Sequence, residues 1–201
     1  MKSLLKQLLL WLMTLLLLPF LLVYWLLKPF CHRDAFFAGF SQLLSLVPGL
    51  TGSYLRVAAY RLLMQHCGQD CYIGFGVLFS QQGTELGDGV YLGPQCNIGL
   101  CQIGADTLLG SGVHILSGKN QHQFADPTLP FKEQGGVFEK VSIGANCWIG
   151  NGAIVMASIG EGCIVGAGAV VTQPLPPGVI AAGNPAKVIR AVYPDAGQQD
   201  T

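Results

Sequence analysis

Residues 86–99, LGDGVYLGPQCNIG, and residues 143–150, IGANCWIG, place a branched aliphatic residue directly before a glycine every six residues. The pair occurs ten times: Ile73-Gly74, Leu86-Gly87, Leu92-Gly93, Ile98-Gly99, Ile103-Gly104, Leu109-Gly110, Ile143-Gly144, Ile149-Gly150, Ile159-Gly160 and Val165-Gly166. A six-residue period suits neither a lone helix nor an ordinary strand. It is the period of a solenoid in which each hexapeptide forms one flat side of a triangular coil. The aliphatic residue is expected to point inward and stack on its counterparts above and below. The glycine is expected to turn the corner with an unusual backbone dihedral. The fold class is therefore an all-β solenoid, a parallel β-helix of hexapeptide repeats.

The aliphatic series runs 73, 79, 86, 92, 98, 103, 109, 115, then 143, 149, 155, 159, 165, 171. The longer step before 86 and the shorter one before 103 point to one-residue adjustments at corners. The short step from Val155 to Ile159 points to a side lacking two residues. The gap from 115 to 143 ejects a loop, residues 117–141. The remainder of the solenoid, residues 67–173, has room for four to five coils.

The chain has 201 residues, 51% hydrophobic and 11% charged. Its mean hydropathy of +0.47 is high for an ordinary soluble domain. The excess lies at one end. From Gln7 to Leu27 there is no charge and leucine dominates, between Lys2 and Lys6 on one flank and Lys28 on the other. Such a stretch is long enough to cross about 30 Å of hydrocarbon. Trp11, Tyr24 and Trp25 suit the two interfaces. A signal peptide has a shorter apolar region and a small-residue cleavage site, whereas Lys28-Pro29-Phe30-Cys31 follows here. Residues 1–28 therefore read as a membrane segment, either a single span or, with Pro19 inside it, a re-entrant or surface-lying helix.

Residues 29–66 carry helical periodicity. Phe36, Phe37, Phe40, Leu43, Leu44 and Val47 form an apolar stripe, Pro48-Gly49 breaks it, and Thr51 or Ser53 can cap a second helix through Leu63. Arg33, Arg56 and Arg61 lie near that stripe. The pair reads as an amphipathic collar on the membrane surface, a cap on the open solenoid end, or both. Residues 174–201 are expected to leave the stack through Pro174, Pro176, Pro177 and Gly178. Their last seven or so residues are polar and expected to be disordered. Net charge is zero and basic residues do not cluster, which gives no reason to expect nucleic acid. The seven cysteines have no metal-type spacing and read as buried reduced thiols, suiting a domain that faces the cytoplasm.

Residues 141–190 read VSIGANCWIGNGAIVMASIGEGCIVGAGAVVTQPLPPGVIAAGNPAKVIR. This stretch resembles the hexapeptide-repeat acyltransferases with a left-handed β-helix. The most specific pieces are Cys147-Trp148-Ile149-Gly150, Gly166 to Thr172, Pro176-Pro177-Gly178 and Ala182 to Arg190. The last is similar to the exit from the helix in galactoside, maltose, serine and nodulation-type O-acetyltransferases. The resemblance covers residues 67–190. It implies a homotrimer, with acetyl-CoA as acyl donor lying between neighbouring solenoids and the long loop of one subunit shaping the site. It calls for no metal.

Acyl transfer from a thioester to an alcohol needs a general base and donors for the oxyanion. Histidine suits the base role. The resemblance places that histidine in the loop that precedes the Trp148 block, which makes His122 the expected base. His114, inside a coil, is the alternative. Asp126 and Glu133 are loop carboxylates that could orient the imidazole. By the same resemblance Trp148, Asn151, Gly166, Ala167, Gly168 and Thr172 would line the CoA groove, and Lys187 and Arg190 would meet its phosphates. Gln173 stands where relatives commonly carry lysine. The expected acceptor is a hydroxyl of a saccharide, membrane-linked in keeping with the apolar segment, or of a small soluble compound such as serine. A non-catalytic membrane scaffold is the rival from another class. A zinc hydratase on the same solenoid would need three histidines, and only His114 and His122 lie within it.

Coenzyme A is cytoplasmic, so the solenoid is expected on the cytoplasmic side. A single span would then put the N-terminus outside. Lys2 and Lys6 oppose that orientation; Lys28, Arg33, Arg56 and Arg61 outweigh them. A helix lying flat, or one that enters and returns, removes the conflict.

Overall fold

The structure, a computed structural model, describes residues 2–193. The C-terminal residues expected to be disordered lie outside the described residues. Three helices come first: α1 (Lys2–Leu27), α2 (Arg33–Ser45) and α3 (Gly49–Leu63). Then the chain winds. The first coil holds β1 (His66–Cys67), β2 (Tyr72–Ile73) and β3 (Leu78–Phe79). The second holds β4 (Glu85–Leu86), β5 (Tyr91–Leu92) and β6 (Asn97–Ile98). The third holds β7 (Cys101–Ile103), β8 (Leu108–Leu109) and β9 (His114–Ile115). After the ejected loop, the fourth holds β10 (Val141–Ile143), β11 (Trp148–Ile149) and β12 (Ile154–Val155). The fifth begins with a single bridge at Ile159 and continues through β13 (Ile164–Val165) and β14 (Val170–Val171).

Residues past Pro174, expected to leave the stack there, begin a sixth coil instead. Leu175 bridges Ile159, and β15 (Val179–Ala182) pairs in parallel with β13. The chain then reverses into β16 (Lys187–Ala191), antiparallel to β15. Three sheets result, parallel except for β16, one per side of a left-handed β-helix. The expected inward stacking is present in unbroken register. Ile73, Leu92, Leu109, Ile149, Val165 and Ala181 form one buried column, one residue per coil.

The glycines of the repeat work differently from expectation. None of the ten has a positive φ. Their role is close approach between coils. A Cβ on Gly144 would stand 2.3 Å from the Glu161 nitrogen, and one on Gly150 would stand 2.4 Å from the Ala167 nitrogen. The positive φ falls two residues later in the turn, on Gly152, Gly162 and Gly168 but also on Gln95, Asp106 and Asn146. The next residue is small, and where it is cysteine or threonine its Sγ or Oγ donates upward. Cys96 reaches the Gly110 carbonyl at 3.1 Å, Thr107 that of Gly144 at 2.8 Å, and Cys147 that of Gly160 at 3.1 Å. This explains why cysteines recur at one repeat position. Six of the seven are buried and none is bonded to another.

The first open end of the solenoid is closed by helices, and the last is extended on one sheet by β16. At the first coil α2 packs on β3, and α3 packs on β1 and β2. Edge donors that would otherwise be orphaned inside the protein find side chains. Ser41 Oγ accepts from Phe79 N at 2.8 Å, Ser53 Oγ from Ile73 N at 3.1 Å, and Asp34 Oδ1 from Gln82 N at 3.0 Å. Ser53 thus serves the sheet edge and does not cap α3, whose N-cap is Pro48 with no side-chain bond. Arg56, expected among the charges flanking the membrane segment, is fully buried. It donates to the carbonyls of Ile73 (3.0 Å), Leu44 (3.2 Å) and Val47 (2.7 Å), tying α3 to β2 and to the end of α2. Burial lowers its pKa. At the other end β16 covers part of the stack.

Candidate functional site

Two corners of the triangle matter. At the corner between the second and third sheets, Gly150 and Asn151 of the fourth coil lie under Gly166, Ala167 and Gly168 of the fifth. Ala167 and Gly168 are exposed, and a Cβ on Gly168 would meet nothing within 4 Å. They form an open shelf of small residues. Asn151 is partly spoken for, because its Oδ1 accepts from Ser111 N at 3.0 Å in the coil below. The chain reversal brings β16 beside this shelf, with Lys187 paired to Ala182 and Arg190 to Ile180. Both cations are exposed and neither forms an ion pair among the described residues. Trp148 points outward from the second sheet and is 55% exposed.

Trp148 belongs to a feature the repeat reading overlooked. The outward residues of the second sheet are Tyr72, Tyr91, Leu108, Trp148 and Ile164, in direct register. Tyr72 and Tyr91 stack with ring centres 4.7 Å apart at 8°. The signal was available: every hexapeptide of the second sheet carries an apolar or aromatic residue just before its inward aliphatic, a run the third sheet breaks at Asn97 and His114. Contiguous exposed apolar patches mark interaction sites, which makes this ladder a candidate contact surface.

The other corner joins the third sheet to the first. Here the loop leaves the third coil as an ordered arm whose two legs pair: Glu139 N donates to Ser117 O (3.0 Å), Val137 N to Asn120 O (2.8 Å) and Gln123 N to Gly135 O (3.0 Å). His122 sits on the first leg, exposed. Gly136 of the second leg lies against it, since a Cβ there would collide with the Gln121 carbonyl and crowd the His122 nitrogen. Gly136 was not singled out from the sequence; only the cross-leg pairing reveals it. At the tip, Gln134 bridges Asp126 and Leu129, and Asp126 accepts from Thr128 N and Oγ1 at 2.8 and 2.6 Å. Those bonds hold the Asp126 carboxyl below its ordinary pKa. Asp126 is thereby committed to the turn, and neither it nor Glu133 bonds His122 among the described contacts. Thr172 follows β14 at this same corner, two coils above the arm's root. His114 projects from the third sheet between Asn97 and Ile154, exposed.

The candidates thus form two groups on one chain. His122 and Thr172 lie at one edge of the third sheet. Asn151, Gly166, Ala167 and Gly168 lie at the other, with Trp148, Lys187 and Arg190 on the adjoining second sheet. Neither described cavity joins them. One of about 610 Å³ lies between α1, α3 and the first coil, and one of about 410 Å³ lies around Asn146, Glu161, Pro177 and Tyr193.

The family description "Hexapeptide repeat of succinyl-transferase" matches residues 140–173. No curated protein matches the chain at a significant level. Among solved structures, a maltose O-acetyltransferase from Clostridium difficile 630 is 23% identical, with a TM-score of 0.69 over 81% of this chain and 88% of that one. A galactoside acetyltransferase in complex with coenzyme A is 19% identical, with a TM-score of 0.59 over 80% and 82%. A hexapeptide-repeat acetyltransferase from Vibrio cholerae, complexed with acetyl coenzyme A, is 18% identical, with a TM-score of 0.55 over 78% and 86%. By its period and coil geometry the chain folds as a left-handed β-helix of hexapeptide repeats, the fold it shares with these acetyltransferases.

Proposed function

We propose that the protein transfers an acyl group, most simply acetyl, from acyl-CoA to a hydroxyl of a saccharide or membrane-linked glycan. The observation that carries this reading is the open shelf at Ala167 and Gly168 beside β16, whose exposed cations Lys187 and Arg190 form no ion pair among the described residues. A thin pantetheine arm needs close backbone approach, and nucleotide phosphates need exposed cations. The coenzyme complexes of fold relatives support the same donor.

His122 is the proposed base. Its imidazole takes the acceptor hydroxyl proton as the oxygen attacks the thioester carbonyl. The tetrahedral intermediate collapses by breaking the carbon–sulfur bond. The departing thiolate of CoA recovers the proton from the imidazolium, leaving an ester and free CoA. On one chain His122 and the shelf lie at opposite edges of the third sheet, so the complete site needs a second copy, consistent with a trimer. The apolar stretch Lys6–Phe30 is long enough to cross a membrane by length and composition. We assign it to membrane attachment, with the solenoid on the side that holds CoA.

The test is calorimetric titration of acetyl-CoA into the detergent-solubilised protein, beside a Lys187→Ala/Arg190→Ala variant. Saturable binding that weakens in the variant supports the donor site. A folded protein that takes up no acetyl-CoA overturns the acyltransferase reading and favours a scaffold.

A further inference from the structure

Both ends of α1 are fastened to the same base. Near its start, Lys6 Nζ meets Asp70 Oδ1 at 2.5 Å, in the turn between β1 and β2. Near its end, Tyr24 stacks on Phe36 at 4.9 Å and meets Phe40 edge-on at 5.2 Å, both on α2. Between these points Leu10, Met13, Leu17 and Leu21 form a buried stripe, and α3 packs alongside. From Lys6 to Tyr24 a helix covers about 27 Å, nearly the whole thickness of a hydrocarbon core. No length remains with which to leave the base and cross. If this segment crossed, Asp70, Gln69 and Arg61, which line the cavity beside Lys6, would be carried to the far side of the bilayer or into it. Buried charge there is costly.

From Leu8 to Leu27 every exposed residue of the same helix is apolar. Trp11 is 74% exposed, Leu15 64% and Leu26 70%, and no charged residue falls between Lys6 and Lys28. Cations stand at both ends, Lys28 and Arg33 at one and Arg61 at the other. A spanning segment shows cations biased to one side. Cations at both ends suit a helix whose two ends meet the same layer of anionic headgroups.

We propose that α1 lies in the plane of the membrane, its outer face seated in one phospholipid leaflet and both ends on the side of the solenoid. This rests on the assignment of α1 to membrane attachment. The N-terminus then shares a side with the acyl-CoA site, and the conflict between the two cationic flanks disappears.

The experiment uses the full-length chain in sealed membrane vesicles of known orientation, with an epitope tag at each terminus. Fractionation comes first. Recovery of the protein without detergent as a particle free of lipid would sink the membrane assignment and this proposal together. If it stays with the membrane, protease added from one side decides. Loss of both tags from the same side supports the in-plane helix; protection of the N-terminal tag while the C-terminal tag is lost overturns it. A second reading uses depth. In Trp148→Phe backgrounds holding one tryptophan, at position 11, at position 25 or at mid-helix through Leu18→Trp, bromine-labelled lipids should quench all three alike. Quenching of the mid-helix residue by the deepest bromines alone would show a span and overturn the proposal.

Discussion

A Cβ is the smallest change that tests how closely the coils approach. Gly144→Ala would press on the Glu161 backbone, where neither neighbour is a flexible side chain. Overpacking of this kind costs about 1–3 kcal/mol or more. Gly39→Ala, on α2 with open space around it, should raise stability by about 0.5–1 kcal/mol through helix propensity and unfolded-chain entropy. Chemical denaturation of the two variants should move the midpoint in opposite directions; a neutral Gly144→Ala would refute the close-approach account. Arg56→Met removes three donors from buried carbonyls, at about 1–3 kcal/mol for each carbonyl left unpaired. That variant is expected to melt well below the wild type. For His122, the proposed chemistry predicts that His122→Ala lowers kcat by about 10²–10⁴. Because CoA is held by the shelf and its cations and not by the imidazole, acetyl-CoA affinity should stay nearly unchanged, and a calorimetric comparison checks it.

At the scale of elements, the ejected arm is a two-legged projection that carries His122. Its legs are held by three backbone bonds, and the contact of Gly136 with Gln121 sets the backbone beside His122. Gly136→Val should force the legs apart and lower turnover while the melting temperature of the solenoid holds. A variant that turns over normally would show that the arm does not position His122. The cap helices act on another edge. Ser41 bonds both Phe79 N and the Tyr60 hydroxyl, so Ser41→Ala leaves a buried edge donor unpaired. A loss of about 1–3 kcal/mol is expected. Hydrogen exchange should accelerate first at the amides of β3.

For the whole molecule, the thiols report on the integrity of the stack. Cys31 is the exposed cysteine, while the other six are buried, and burial raises the Cys101, Cys96 and Cys147 thiols above their ordinary pKa. Reaction with a thiol reagent should consume one equivalent per chain quickly and the rest only on unfolding. Rapid reaction of several thiols would mean that the coils open readily. The division of candidate residues between two edges of the third sheet makes a second whole-molecule prediction. Mixing His122→Ala with Lys187→Ala/Arg190→Ala chains, unfolding and reassembling them together, should restore activity lost in each alone if sites form between copies.

The ordering of side chains along the chain was enough to determine the coil, its register and the inward columns. Each hexapeptide repeats one local geometry, and hydrophobic periodicity reports that directly. It was enough to locate the ejected loop, because that loop interrupts the period; the turn into β16 was marked only by the resemblance of residues 182–190 to the helix exit of the acetyltransferases. Tertiary structure alone decided why the glycines are there, since their constraint is the backbone of the next coil and not their own dihedral. It decided that Arg56 and Ser53 serve the sheet edge, because residues distant in sequence supply their partners. It decided that residues after Pro174 stay on the stack, as proline restricts φ but leaves a carbonyl free to accept from the next rung. It also decided which side of α1 is covered. Leucine on every face satisfies lipid and protein alike, so only the packing of α3 tells the inner stripe from the outer one.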